Sequence, residues 1–281
     1  MKINKYFIMA SILLILSSGT SLAGIYSAPA NDPTNLYDAP IYKTDAAILA
    51  WADTVVDYSP APGVSATYQN PETGYGSLGD LTTEQIAEGV LPGSITVGFE
   101  TGIGNGAGAD FAVFENGFAY GSPNGLFMEL AYVEVSTNGT DFARFNSIST
   151  NTEPVAGSGG FSGWDTTNVY NLAGKNQSGW GTVFDLEELV SDPLVLCGLL
   201  DLNDIQYVRL VDIPGTGDYL DSLGNPILDA HPTTGSGGFD FRLTEGVAVL
   251  NAASPVPVPA AIWLFGSGLI GLVSIRRRKS Q

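Results

Sequence analysis

Between residues 24 and 259, no stretch of this 281-residue chain keeps a helical period for more than about two turns; apolar residues come in short alternating runs bounded by Gly, Asn, Asp, Ser and Pro. Alternation places successive side chains on opposite faces, so such runs can bury one face only as strands. Strands are predicted over 50–58, 94–100, 110–115, 131–136, 142–147, 182–185, 206–213 and 239–250. The clearest hairpin joins 132–136 to 141–145 through Thr137-Asn138-Gly139-Thr140, because Asn-Gly readily takes the positive φ angles of a tight turn. Glu134 and Ser136 then share one face while Val133 and Val135 take the other, and Phe142 and Phe145 share a face only across a bulge or bend. In 206–213, Tyr207, Arg209 and Val211 oppose Val208, Leu210 and Asp212. Helix is confined to 82–89, which opens with a capping threonine, and a turn over 185–190. No helices alternate with the strands. The predicted fold class is therefore all-β, an antiparallel two-sheet β-sandwich or jelly roll.

Both ends depart from this pattern. Lys2 and Lys5 precede an apolar run over 6–16 that leads to Ser21-Leu22-Ala23, which reads as a secretory signal peptide cleaved after Ala23. Export through the Sec translocon follows. At the other end, an apolar run with spaced glycines covers 260–275, and Arg276, Arg277, Arg278 and Lys279 come directly after it. As a helix this run would rise about 24 Å, a little under the hydrocarbon core of a bilayer, with the basic cluster held in the cytoplasm and the body outside. Trp263 falls near the outer boundary, and Gly266, Gly268 and Gly271 leave a smooth face for another helix.

Pro257-Val258-Pro259, the run beginning Ala260-Ala261-Ile262-Trp263-Leu264-Phe265-Gly266, and the terminal arginines resemble the PEP-CTERM sorting signal, with valine where that family often has glutamate. The resemblance implies recognition by an exosortase, a membrane transpeptidase, with cutting near the prolines. It also implies a Gram-negative source, delivery to the cell surface or extracellular matrix, and exopolysaccharide as a candidate partner. An ordinary C-terminal membrane anchor is the simpler alternative. The expected layout is a signal peptide over 1–23, a β-sandwich over 24–250, a proline-rich linker with the sorting motif over 251–259, and a transmembrane helix with a basic tail over 260–281.

All 29 acidic residues lie between the two ends. Only Lys43, Arg144, Lys175, Arg209 and Arg242 accompany them, a formal charge of 5 minus 29, or −24. Nucleic acid is excluded as a partner, and divalent cations become plausible counterions. Cys197 is the only cysteine, so no internal disulfide forms. Its setting among Leu194, Val195, Leu196, Leu199 and Leu200 predicts an inert buried thiol. His231 is also alone, which argues against zinc.

Gly102-Ile103-Gly104-Asn105-Gly106 is followed by a predicted strand rather than a helix, so it is not a dinucleotide fingerprint. Gly93 to Phe99, Ala109 to Phe118, Val133 to Gly139, Gly181 to Leu186, Val208 to Asp212 and Gly238-Phe239-Asp240 resemble exported bacterial cell-surface proteins with a discoidin-like, galactose-binding-type sandwich. The sequence departs from that group where Phe241-Arg242 follows Asp240 in place of a second acid.

Calcium takes six to eight oxygens, and loops rich in Asp, Asn and Gly can supply them. Candidate ligands are Asp201, Asn203 and Asp204; then Asp212, Asp218, Asp221, Asn225 and Asp229 before Asp240; and Asp110, Glu115 and Asn116. The competing reading is that these are turn residues bonding their own backbone. Trp164 and Trp180, in glycine-rich segments, are candidate sugar platforms. No serine elbow, metalloprotease helix or cysteine–histidine set is present, so a non-enzymatic protein is expected, with a secreted glycoside hydrolase or lyase as the alternative.

Overall fold

A computed structural model describes residues 24–121, 123–153, 161–233 and 236–254. The predicted signal peptide, the sorting motif Pro257-Val258-Pro259, the apolar run and Arg276, Arg277 and Arg278 lie outside the described residues. Among those described, no helix is long and apolar enough to cross a membrane.

Ten strands carry the fold: β1 (Ile41–Tyr42), β2 (Ala50–Trp51), β3 (Thr54–Ser59), β4 (Ser94–Ile103), β5 (Phe111–Val113), β6 (Ala131–Ser136), β7 (Ala143–Arg144), β8 (Trp180–Phe184), β9 (Ile205–Asp212) and β10 (Val247–Val249). They form two five-stranded antiparallel sheets, ordered β1-β8-β5-β10-β2 and β7-β6-β9-β4-β3. Phe111, Val113, Phe184, Val247 and Val249 from the first sheet share one buried cluster with Ile95, Val97, Val133, Val135, Val208 and Leu210 from the second. The sheets thus pack face to face in a sandwich-like arrangement. At its centre the ring of Phe145 meets those of Phe111 and Phe184 edge-on, with centroids 5.8 and 5.1 Å away. Each such buried ring contributes roughly 1.5–3 kcal/mol of transfer free energy.

The alternation read from β9 holds. Val208, Leu210 and Asp212 are buried while Tyr207, Arg209 and Val211 are partly exposed. All six residues of β6 are buried, because a second apolar cluster containing Tyr132, Leu126, Met128, Leu130 and Trp164 covers its other face. The predicted hairpin is present, with Ala143 opposite Val135 and Arg144 opposite Glu134. Its turn is wider than a two-residue one: Gly139 alone takes a positive φ of 75°, and Asn138 Oδ1 accepts from the Thr140 and Asp141 amides instead.

Two predicted strands divide. Residues 50–58 split at Ala52-Asp53, where the buried Ala52 marks the passage from one sheet to the other. Residues 239–250 split at the turn Leu243–Gly246; Asp240–Phe241 pairs with Gly76–Ser77 before the chain joins β5 as β10. The short helix is Thr83–Ala87, with Thr82 and Gln85 forming a reciprocal cap. The turn after Asp185 is a 3-10 helix, Leu186–Leu189. Cys197 corrects its expectation, for the thiol is exposed. It ends a short helix, Pro193–Leu196, none of whose residues is buried, and the apolar run sends Leu200 rather than Cys197 into the core.

Candidate metal centre

Carboxylates gather where β5 and β9 end and β6 begins. Glu115 follows β5, Glu129 precedes β6, and Asp240 lies on the short strand paired with Gly76–Ser77. One oxygen from each of these three lies within 4.8 Å of the others, and all three residues are buried. Asp212 ends β9 on the core side, and Asp229 and Asp80 approach from loops. Asp212, at 0% exposure, is as deeply buried as any core residue.

Part of each carboxylate is held by the surrounding backbone. Glu115 Oε2 accepts from the Gly117 amide at 2.5 Å, and Asp240 Oδ2 accepts from Asn116 Nδ2 at 2.8 Å and Ser236 Oγ at 2.7 Å. The Phe239 amide donates to Asp212 Oδ1 at 2.8 Å, and the Leu130 amide to Asp229 Oδ2 at 2.7 Å. Asp80 Oδ2 accepts from the Thr233 amide and hydroxyl at 3.0 and 2.6 Å. Gly238, at φ 65°, lets the chain pass between these groups, since a Cβ there would lie 2.6 Å from Asp212 Oδ1 and 3.0 Å from the Asp80 nitrogen.

The remaining oxygens are the informative ones. Glu115 Oε1, Asp212 Oδ2 and Asp240 Oδ1 are buried and have no hydrogen-bond partner. None of the ion pairs among the described residues involves the cluster. Ionised carboxylates buried this way are strongly unfavourable without a counter-charge. Burial, opposed by the Asn116 and Gly117 amides and reinforced by the charge of Asp240, pushes Glu115 up to about 8. Burial also drives Glu129, Asp212 and Asp229 well above the ordinary carboxylate range, with neighbouring carboxylates adding to it. The cluster must take up protons or a cation.

The donor set fits a hard cation. It is all oxygen, with no thiol or imidazole, which selects calcium or magnesium over zinc or copper. Oxygens on opposite sides of a calcium ion are about 5 Å apart at the usual bond length, and the spacing of Glu115, Glu129 and Asp240 lies within that span. Three carboxylates supply between three and six oxygens, leaving positions for water or a ligand.

The structure distributes the sequence-predicted ligands unequally. Asp212 and Asp229 lie beside Glu115 and Asp240, whereas the other acidic candidates are taken up by hydrogen bonds elsewhere, in turns or, for Asp110 and Asp221, between distant segments. Asp201 Oδ1 accepts from the Asn203 amide at 2.9 Å, and Asp204 Oδ1 from Gln206 Nε2 at 2.5 Å. Asp218 bonds Thr216 Oγ1. Asp221 uses both oxygens on Ser149, Leu223 and Asn225, and Asp110 uses both on Gly106, Leu186 and Asn251. Glu129 and Asp80 were not singled out in the sequence. The signal for Glu129 is a lone acid inside the apolar stretch 126–132.

The two tryptophans also separate. Trp164 is buried in the second apolar cluster. Trp180 is partly exposed and meets Tyr42 edge-on at 5.0 Å, on the wall of a surface cleft of about 840 Å³ that Tyr37 and Tyr170 also line. His231 Nε2 lies 2.9 Å from the Leu81 carbonyl, a structural contact.

Comparison with family models matches residues 255–279 to the PEP-CTERM protein-sorting motif. The sorting motif read from the tail is thereby borne out, and such a motif implies an exported protein processed by exosortase and sorted to the cell surface through a membrane-anchored stage. A comparison with curated proteins gives no match.

Proposed function

We propose that this chain is a non-enzymatic surface or extracellular-matrix protein of a Gram-negative bacterium, and that its β-sandwich body is closed around a calcium ion held by Glu115, Glu129 and Asp240. The observation that carries the calcium assignment is the convergence of Glu115, Glu129 and Asp240, with buried, unpartnered oxygens on Glu115 and Asp240. Extracellular calcium neutralises charge that the chain's own few cations do not reach. The tail carries the delivery part of the reading. The signal peptide over 1–23 starts export, the apolar run over 260–275 holds the chain in the membrane, and exosortase removes it near Pro257 and Pro259. The strand motifs named above support a discoidin-like, galactose-binding-type body, and the aromatic cleft beside Trp180 supports exopolysaccharide as the partner.

Calcium titration of the mature body by calorimetry tests the metal. Heat of binding that disappears in Glu129→Gln is the expected result, and an absence of heat in the folded wild type refutes it. Mass spectrometry of the C-terminus in cells with and without exosortase tests the sorting, and an intact 276–281 tail in both refutes it.

A further inference from the structure

The basic residues of the body are few enough to account for individually. Arg144 and Arg209 both bind Glu134, at 2.8 and 2.5 Å. Lys175 is buried against Asp38 at 2.8 Å. Lys43 reaches only Glu245, an exposed pair at 3.1 Å. Arg242 enters no ion pair among the described residues; its guanidinium lies 4.1 Å above the Tyr75 ring, and its buried Nε has no partner. Lys43 and Arg242 line the same small cavity, about 50 Å³, together with Tyr75, Asn116, Glu115 and Asp240.

That cavity joins two kinds of unmet demand. Glu115 Oε1 and Asp240 Oδ1 are unpartnered acceptors on residues only 7% exposed, and they call for a cation. The cation has coordination positions left over, while Arg242 Nε is an unpartnered donor beside it. One anionic oxygen answers both by binding the cation and accepting from Arg242.

The neighbouring surface indicates what carries that oxygen. Ser178 and Gly179 line the cavity and Trp180 the aromatic cleft; Lys43 lines the cavity and Tyr42 the cleft. Cavity and cleft are therefore adjacent across β1 and the start of β8. Aromatic walls suit the flat faces of sugar rings. Asp45, Asp185, Glu187 and Glu188 also line the cleft, so it repels a chain charged at every unit. The cavity, lined by Lys43 and Arg242 but also by Glu115, Asp240 and Glu245, complements an anion once a divalent cation is bound there.

We propose that the calcium centre, the cavity and the cleft form one glycan-binding site. In this site the carboxylate of a uronic acid enters the cavity, bound by calcium and Arg242, while neutral sugar units lie against Tyr42 and Trp180. The inference rests on the calcium reading and adds the ligand class. It predicts preference for a glycan in which acidic units are scattered among neutral ones.

The test is calorimetric, on the mature body, with a xylo-oligosaccharide bearing one glucuronic acid, the same oligosaccharide without it, and polygalacturonate. Calcium is titrated first, alone. The acidic oligosaccharide should then bind the calcium-loaded protein, lose binding in EDTA, and bind at least about tenfold more tightly than its neutral counterpart, a difference of about 1.4 kcal/mol. It should also bind more tightly than polygalacturonate. Arg242→Gln should remove that preference while calcium still binds at least as tightly as in wild type, since a positive charge beside the cation is lost, and the retained calcium heat shows that the variant is folded; Lys43→Gln should weaken binding less. Calcium binding with no preference for the acidic oligosaccharide, or a preference that survives Arg242→Gln, overturns the glycan site while the calcium reading stands. No calcium binding overturns both.

Discussion

Two groups of buried carboxylates in this molecule meet the same problem in opposite ways. Glu134, on β6, has an arginine in register on each neighbouring strand, Arg144 on β7 and Arg209 on β9. Both of its oxygens are engaged, and the guanidinium groups lie 4.1 and 3.8 Å from the Tyr132 and Phe142 rings. Five residues earlier in the chain, Glu129 enters a cluster with Glu115 and Asp240, where no ion pair is made among the described residues. One carboxylate carries its counterions within the fold. The other group has no such partner among the described residues, and the calcium proposal rests on that difference.

The comparison is broken most directly by removing the cation. At a free calcium concentration about one hundred times the dissociation constant, binding adds about 2.7 kcal/mol, or about 8 °C in Tm for a body of this size. EDTA should lower Tm by that amount at pH 8, as read by differential scanning calorimetry. Glu129→Gln should lose most of the calcium response, whereas Glu134→Gln should keep it. An EDTA effect of the same size in Glu129→Gln would break the assignment.

Acidity sharpens the contrast next. In the metal-free protein, burial raises the Glu115 carboxyl from an ordinary 4.5 to about 8. The folded state therefore holds its proton more tightly than the unfolded chain does. That contribution to stability is complete below about pH 4.5 and is lost as pH rises through about 8. Metal-free Tm should fall between pH 5 and 8.5, and calcium should restore it most at the alkaline end. A flat metal-free profile would mean that the carboxylates are already neutralised.

The paired carboxylate has a smaller effect of another kind. Glu134→Gln removes charge-assisted bonds to two partly exposed arginines, about 2 kcal/mol, or about 6 °C, at every calcium concentration. Calcium affinity should not change. A shift in affinity would show that the two groups communicate through β6.

Much of this contrast was written in the sequence, but unevenly. The strict alternation of 206–213 placed Asp212 on the core face with Val208 and Leu210, and the structure keeps it there. Turn-rich Asp201, Asp204 and Asp218 had the composition of calcium loops yet bond locally. Most of those that enter the cluster share a different context: Glu129, Asp212, Asp229 and Asp240 each stand between two apolar residues, although Glu115, followed by Asn116, does not. Such an acid is carried inward by its neighbours and must find a charge there, whereas an acid among Gly, Asn and Ser has water and its own backbone. Glu134, between Val133 and Val135, shares that context. Flanking residues therefore report burial but cannot separate the paired group from the unpaired one. That separation depends on strand register, which brings Arg209 opposite Glu134 from 75 residues away, and no local reading of 129–134 contains it.

The smallest expected effect tests whether the cluster is positioned or merely crowded. Asn116, a ligand candidate in the sequence, instead donates its Nδ2 to Asp240 Oδ2, while Asp240 Oδ1 is buried without a hydrogen-bond partner. Removing such an orienting bond typically weakens metal affinity about tenfold or more. In Asn116→Ala, calcium should bind about tenfold more weakly, which corresponds to about 1.4 kcal/mol, while the Tm of the metal-free protein stays within about 2 °C of wild type because the lost bond is partly exposed. Asn116→Asp puts an acceptor where the donor stood and adds another negative charge to the cluster. It should alter calcium affinity with a different salt dependence, and the metal-free protein should become less stable as pH rises. If alanine and aspartate behave alike, Asp240 is held by Ser236 and the strand alone, and Asn116 has no part in presenting it.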